Sequence, residues 1–124
     1  MEYLLDTSAI VAYLTGEKEA DRITSYLKDS SLPFIVLSEL YYIVWKRKGE
    51  VEADRAYGLV KSWNLPILLP NERIILFAGK FKATHRLGMA DSYIAAFALD
   101  QNLTLVAKDR DYNLLKDEIK ILQL

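Results

Sequence analysis

The seven residues Tyr93–Leu99, YIAAFAL, carry no charged side chain and no small polar one. On a helix of 3.6 residues per turn that leaves no polar face, so the segment must be covered on most sides. A chain of 124 residues has room for one sizeable core. The other apolar runs, YLL (3–5), PFIVL (33–37), PILL (66–69) and LTLVA (103–107), are continuous rather than alternating, and IKILQL (119–124) reads as a last strand. Continuous apolar strands are buried on both faces, which is the habit of parallel sheets. Strands alternating with helices then predict an α/β fold: a three-layer sandwich with a mainly parallel central sheet flanked by helices, one domain over 1–124.

The helical segments carry their own punctuation. TSAIVAYLTG begins near Thr7 and stops at Gly16, and EKEADRITSYLKDS places Ala20, Ile23 and Leu27 at helical spacing. After the 33–37 strand, Ser38 is a suitable N-cap for ELYYIVWKRK, whose last turn is basic and whose successor is Gly49. EVEADRAYGLVKSW is amphipathic, NERIILFAGKFKATHRLG runs to Gly88, and MADSYIAAFAL follows with Asp91 as a candidate cap. DYNLLKD makes a short helical turn before the last strand.

Composition narrows the function. Hydrophobic residues make up 52% and charged residues 27%, which excludes disorder. With no cysteine and one histidine, His85, neither a disulfide framework nor a zinc site is expected. No apolar run reaches the roughly 20 residues of a membrane span and no secretory leader is visible, so a cytoplasmic protein is expected. A net charge of −1 means that nucleic-acid binding needs a local basic patch.

Four acids stand apart. Glu17, Glu19, Asp21, Glu50, Glu52 and Asp54 lie in polar surroundings and read as solvated, whereas Asp6, Glu39, Asp91 and Asp109 adjoin apolar runs. Asp6, Glu39 and Asp109 each follow a predicted strand, and ligands of parallel α/β sheets bind beyond the carboxyl ends of strands. Asp91 opens a crossover helix, whose N-terminus lies at that same edge. Singly, capping or loop polarity accounts for each acid; together on one rim they repel. Two carboxylates about 5 Å apart cost roughly 3 kcal/mol at an effective dielectric near 20. Protonation or a cation relieves this, and oxygen-only ligands favour Mg²⁺ or Mn²⁺.

The segments YLLDTSAIVAYL, FIVLSELYYI, GMADSYIAAFAL and LTLVAKDRDY resemble, in order and spacing, the four acidic motifs of PIN domains, in particular the single-domain VapC-type toxins. The resemblance covers nearly the whole chain. It implies a Mg²⁺- or Mn²⁺-dependent endoribonuclease that is commonly a homodimer and is often neutralised by a small antitoxin protein. Asp6, Glu39, Asp91 and Asp109 match the four acidic positions, implied to be catalytic and metal-binding. Two departures stand out. Ala107 occupies a position where the family usually has Thr or Ser, and Asp111 competes with Asp109 for the fourth role or else caps the turn that follows.

An acidic site repels phosphate, so nearby cations are needed. Lys108 and Arg110 are well placed for RNA, as is the Lys80–Arg86 stretch in principle, while Lys46, Arg47 and Lys48 read as helix C-terminal charges pointing away from the rim. Thr7 and Ser8 either orient Asp6 or cap a helix. Tyr41, Tyr42, Trp45 and Trp63 read as core or dimer contacts rather than base-stacking platforms. Two other readings remain open: a PIN-like module that binds RNA or protein without cutting, and an aspartyl-phosphate enzyme using Asp6 as nucleophile.

Overall fold

Five strands line up side by side in the order β3-β2-β1-β4-β5, every neighbouring pair parallel. They are β1 (Tyr3–Leu5), β2 (Ser30–Pro33), β3 (Ile67–Leu68), β4 (Thr104–Ala107) and β5 (Ile121–Gln123). This is a computed structural model describing residues 2–124. Six α-helices connect the strands: α1 (Thr7–Leu14), α2 (Ala20–Leu27), α3 (Phe34–Lys48), α4 (Glu50–Ser62), α5 (Glu72–Thr84) and α6 (Met89–Gln101). A 3-10 helix, Arg110–Leu115, precedes β5. No helix among the described residues is long and apolar enough to cross a membrane.

The all-parallel α/β arrangement agrees with the expectation, and α6 explains why. Ile94, Ala95, Ala96, Phe97 and Ala98 are all at most 2% exposed, so this helix is walled in by sheet and neighbours as its sequence demands. It ends at Asn102 in the left-handed conformation (φ 53°), a backbone state that asparagine tolerates better than most residues. At Gly49 (φ 89°) the chain turns from α3 into α4, a conformation that a side chain resists.

One assignment fails. The run PFIVL is not a strand: β2 is SSLP, and α3 begins at Phe34 rather than after Ser38. Pro33 stands at the N-cap with φ −63° and ψ 141°, ending the strand and leading straight into the helix. Tertiary packing overrides the β-preference of Ile35 and Val36, because the helix buries Val36 and Leu40 completely and sets Phe34 edge-on against Tyr93 and Phe97. The serines of β2 tolerate a core strand because their hydroxyls are satisfied internally. Ser30 donates to the Tyr26 carbonyl at 2.8 Å and Ser31 to the Tyr3 carbonyl at 3.3 Å.

Smaller differences concern helix ends. α5 stops at Thr84 and residues 85–88 form a bend before α6, and α2 is shorter than its charged flanks suggested. Gly88, not Asp91, is the N-cap of α6. The sheet order places a switch point between β1 and β4: the chain leaves β1 toward β2 on one side and returns to β4 on the other. A crevice opens there at the carboxyl ends of the strands.

Truncating Ile94, fully buried at the centre of α6, to alanine is expected to lower the unfolding free energy by about 2–5 kcal/mol. Val51→Ala, at a position 67% exposed, should change it by less than about 0.5 kcal/mol. Chemical denaturation of both variants checks the contrast.

Candidate active site

At the switch point, Asp6 leaves β1 and caps α1. Its Oδ2 accepts from the Ser8 backbone N–H at 3.1 Å and from the Ser8 hydroxyl at 2.5 Å. Its Oδ1 accepts from the Tyr112 hydroxyl at 2.7 Å. Burial to 3% exposure pushes its carboxyl above the usual range, and the bonds from Ser8 and Tyr112 offset only part of that. Capping and site geometry are therefore one arrangement here, not rivals.

The Tyr112 hydroxyl also donates toward Asp91 Oδ1, at 2.9 Å. Sharing one hydroxyl, Asp6 and Asp91 lie within two hydrogen-bond lengths of each other. A phenol has one proton to give, so the two carboxylates either share it or one of them, protonated, donates to the phenol oxygen in return. Burial is the main force raising Asp91 to about 6; the Tyr112 bond opposes it, while Asp6, Glu39 and Asp109 add repulsion. Tyr112 is fully buried and its own ionisation is pushed far upward by that burial and by the two carboxylates. Sequence reasoning passed it over, since a tyrosine inside DYNLL reads as ordinary core.

Glu39 reaches the same pocket by another route than expected. It stands about one and a half turns into α3, not at a strand end, and accepts from the Thr7 hydroxyl at 2.7 Å. Burial, partly offset by the Thr7 bond, raises its carboxyl, with added repulsion from Asp6 and Asp109. Asp109 follows β4 and caps the 3-10 helix, accepting from the Asp111 backbone N–H at 2.9 Å. The capping role considered for Asp111 thus belongs to Asp109. Asp111 instead turns toward the acids: Asp91, Asp109 and Asp111 each present an oxygen within 4.8 Å of the others.

Asp6, Glu39, Asp91 and Asp109 all line one pocket of about 360 Å³, together with Thr7, Ser8, Glu17, Arg47 and Lys108. Despite Ala107, the segment after β4 is anchored from two sides. Ser8 Oγ accepts from the backbone N–H groups of Lys108 (3.0 Å) and Asp109 (3.2 Å). The Gln123 amide donates to the carbonyls of Ala107 (3.2 Å) and Lys108 (2.9 Å).

The cations are arranged otherwise than the sequence suggested. Arg47 lines the pocket, one helical face beyond Glu39 and Ile43 at intervals of four residues. This face of α3 runs along the pocket rather than away from it. Lys108 is bound to Glu17 and lies 3.6 Å from Glu19 Oε2. The ion pair lowers the Glu17 carboxyl and raises the Lys108 ammonium. Glu19 is 5% exposed and Glu17 faces the pocket, so neither is simply a solvated surface acid. Trp63 packs edge-on against Tyr13, while Tyr42 (60%) and Trp45 (45%) stay exposed.

The PIN domain family model matches residues 3–118. The chain belongs to the PIN domain family. Solved structures agree with this fold. The VapBC-1 structure from nontypeable Haemophilus influenzae is 26% identical with TM-score 0.77, over 99% of this chain and 98% of that one. VapBC2 from Rickettsia felis, bound to a DNA fragment from its promoter, is 22% identical with TM-score 0.80, covering 100% and 99%. A sarcin–ricin loop cleaving VapC toxin from Mycobacterium tuberculosis is 16% identical with TM-score 0.74, covering 91% and 94%. No curated protein matches this chain in sequence.

The raised Asp91 carboxyl has a consequence for stability. Between its ordinary value of 3.8 and about 6 the folded protein holds a proton that the unfolded chain has released. This group's contribution is fully present below 3.8 and is lost as pH rises through about 6. In EDTA, Asp91→Asn should flatten the decline of melting temperature over that window. Solvent screening at this half-buried site limits the effect to the order of 1 kcal/mol. Thermal unfolding across the pH series measures it.

Proposed function

We propose that this PIN domain is a divalent-metal-dependent endoribonuclease, hydrolysing RNA phosphodiester bonds as the toxin of a toxin–antitoxin pair. The observation that carries the reading is the gathering of Asp6, Glu39, Asp91 and Asp109 around one pocket, with the oxygens of Asp91, Asp109 and Asp111 in mutual reach. The donors are all oxygen, which suits Mg²⁺ or Mn²⁺ rather than a soft metal. Burial and mutual repulsion already hold Asp91 high, a cost that a cation at this place offsets.

Asp6, Asp91 and Asp109 are the residues that would hold the ion, with Asp111 in reach of the last two. When bound, a divalent ion supplies a nucleophilic water at neutral pH and neutralises charge building on the phosphate. Glu39, fixed by Thr7, is placed to orient the attacking water and take its proton. Arg47 is the cation of the pocket with no side-chain hydrogen bond or ion pair among the described residues, and it is placed to hold the phosphate. Lys108, the stronger candidate from sequence, is already neutralised by Glu17.

RNA as substrate draws support from the relative that cleaves the sarcin–ricin loop, and an antitoxin partner from the VapBC structures. Exposed Tyr42, Trp45 and Tyr57 offer an apolar face for a second copy. The anchoring of residues 107–109 supports a working site over an inert module. The aspartyl-phosphate reading gains little: both Asp6 oxygens already accept hydrogen bonds, and Lys108 is engaged elsewhere.

Incubation with structured RNA should give cleavage in Mg²⁺ or Mn²⁺ that stops in EDTA. Asp6→Asn and Asp91→Asn should each reduce it by at least roughly 100-fold. RNA binding retained by the wild type without metal-dependent cleavage would leave the inert module as the answer. For Arg47→Ala, kcat/KM should fall about tenfold, with partial recovery in Arg47→Lys. Steady-state cleavage kinetics distinguish this from the near-complete loss expected at the acids.

A further inference from the structure

We propose that Tyr112 is a positioning residue, its hydroxyl tying the Asp6 and Asp91 carboxylates together from beneath so that both face the pocket in the arrangement an ion requires. The proposal rests on the pocket being the metal site.

Three observations carry it. The hydroxyl lies 2.7 Å from Asp6 Oδ1 and 2.9 Å from Asp91 Oδ1. Tyr112 is fully buried and does not line the pocket, whereas both carboxylates do. The hydroxyl therefore approaches from the core side through Oδ1 of each, leaving Asp91 Oδ2 without a hydrogen bond among the described residues, while Asp6 Oδ2 is held by Ser8. Third, Asp91 makes no other side-chain hydrogen bond among the described residues, and α6 begins at Gly88 without a side-chain cap. Asp6 is held independently by Ser8. Among the described residues, Tyr112 is thus the one side chain whose hydrogen bonds fix Asp91 relative to Asp6.

The same short segment aligns a third acid. Asp109 caps the 3-10 helix that carries Tyr112, so the cap sets the helix, the helix sets the ring, and the ring sets two carboxylates. Outer contacts that orient metal ligands commonly matter 10–100-fold in metal affinity.

Tyr112→Phe keeps the ring and removes the hydroxyl alone. Titration calorimetry with Mn²⁺ should show affinity weakened by roughly 10–100-fold relative to wild type. A variant that melts lower in EDTA yet binds Mn²⁺ like wild type would overturn the positioning role and leave the nuclease reading standing. Wild type that takes up no Mn²⁺ would overturn both. A second measurement needs no variant. In wild type with isotope-labelled tyrosine, the Cζ resonance of Tyr112 should move on Mg²⁺ addition, because both acceptors of its hydroxyl become ligands. A resonance that stays in place while Mg²⁺ binds would overturn the proposal, even where the phenylalanine variant fails to fold.

Discussion

Crowded negative charge at the carboxyl ends of β1 and β4 is the constraint around which the rest of this PIN domain is arranged. A parallel sheet whose order reverses between these strands opens a crevice there, and the chain lines that crevice with acids from four separate segments. Asp6, Glu39 and Asp91 are penalised by desolvation, and Glu39 and Asp91 also by repulsion from neighbouring acids. Tyr112, Thr7 and Ser8 supply hydroxyl donors aimed at Asp6, Asp91 and Glu39, but these do not bring the carboxyls back to their ordinary range. The residual imbalance is the cost that the proposed hard cation would offset.

The hydroxyl groups deserve comparison with the acids they serve. Ser8 spans the crevice: it donates to Asp6 after β1 and accepts from the backbone of Lys108 and Asp109 after β4. Tyr112 closes the same ring from the core side. Two strands adjacent in space but about 100 residues apart in sequence are thereby locked at their ends by side chains, not only by the sheet ladder. Such a ring holds carboxylates to a narrow geometry, which is what preorganised sites need.

Much of the fold was legible. The apolar helix 93–99 could only be buried, and the continuous apolar runs 3–5 and 103–107 could only be central strands of a parallel sheet. From strand ends alone, Asp6 and Asp109 belong at one edge, and Asp91 follows from the direction of a crossover helix. Glu39 reached its place for a different reason. Its strand was misplaced by about four residues because local β-preference in FIVL was outweighed by packing against α6, which no local pattern reports. Arg47 shares the helix face of Glu39 and Ile43 at intervals of four, a relation that the reading of Lys46–Lys48 as C-terminal charges passed over.

By itself, then, the sequence determined the class of fold, the parallel pairing and the set of candidate acids, because burial and strand direction are written in local patterns of apolar residues. Tertiary structure alone decided who serves those acids: Tyr112 beneath two carboxylates, Thr7 on Glu39, Glu17 and Glu19 on Lys108, and Arg47 left facing the pocket. Hydrogen bonds and ion pairs reach over only a few ångströms and require matching directions. Such partnerships depend on where distant segments come to rest, and no spacing along the chain encodes that.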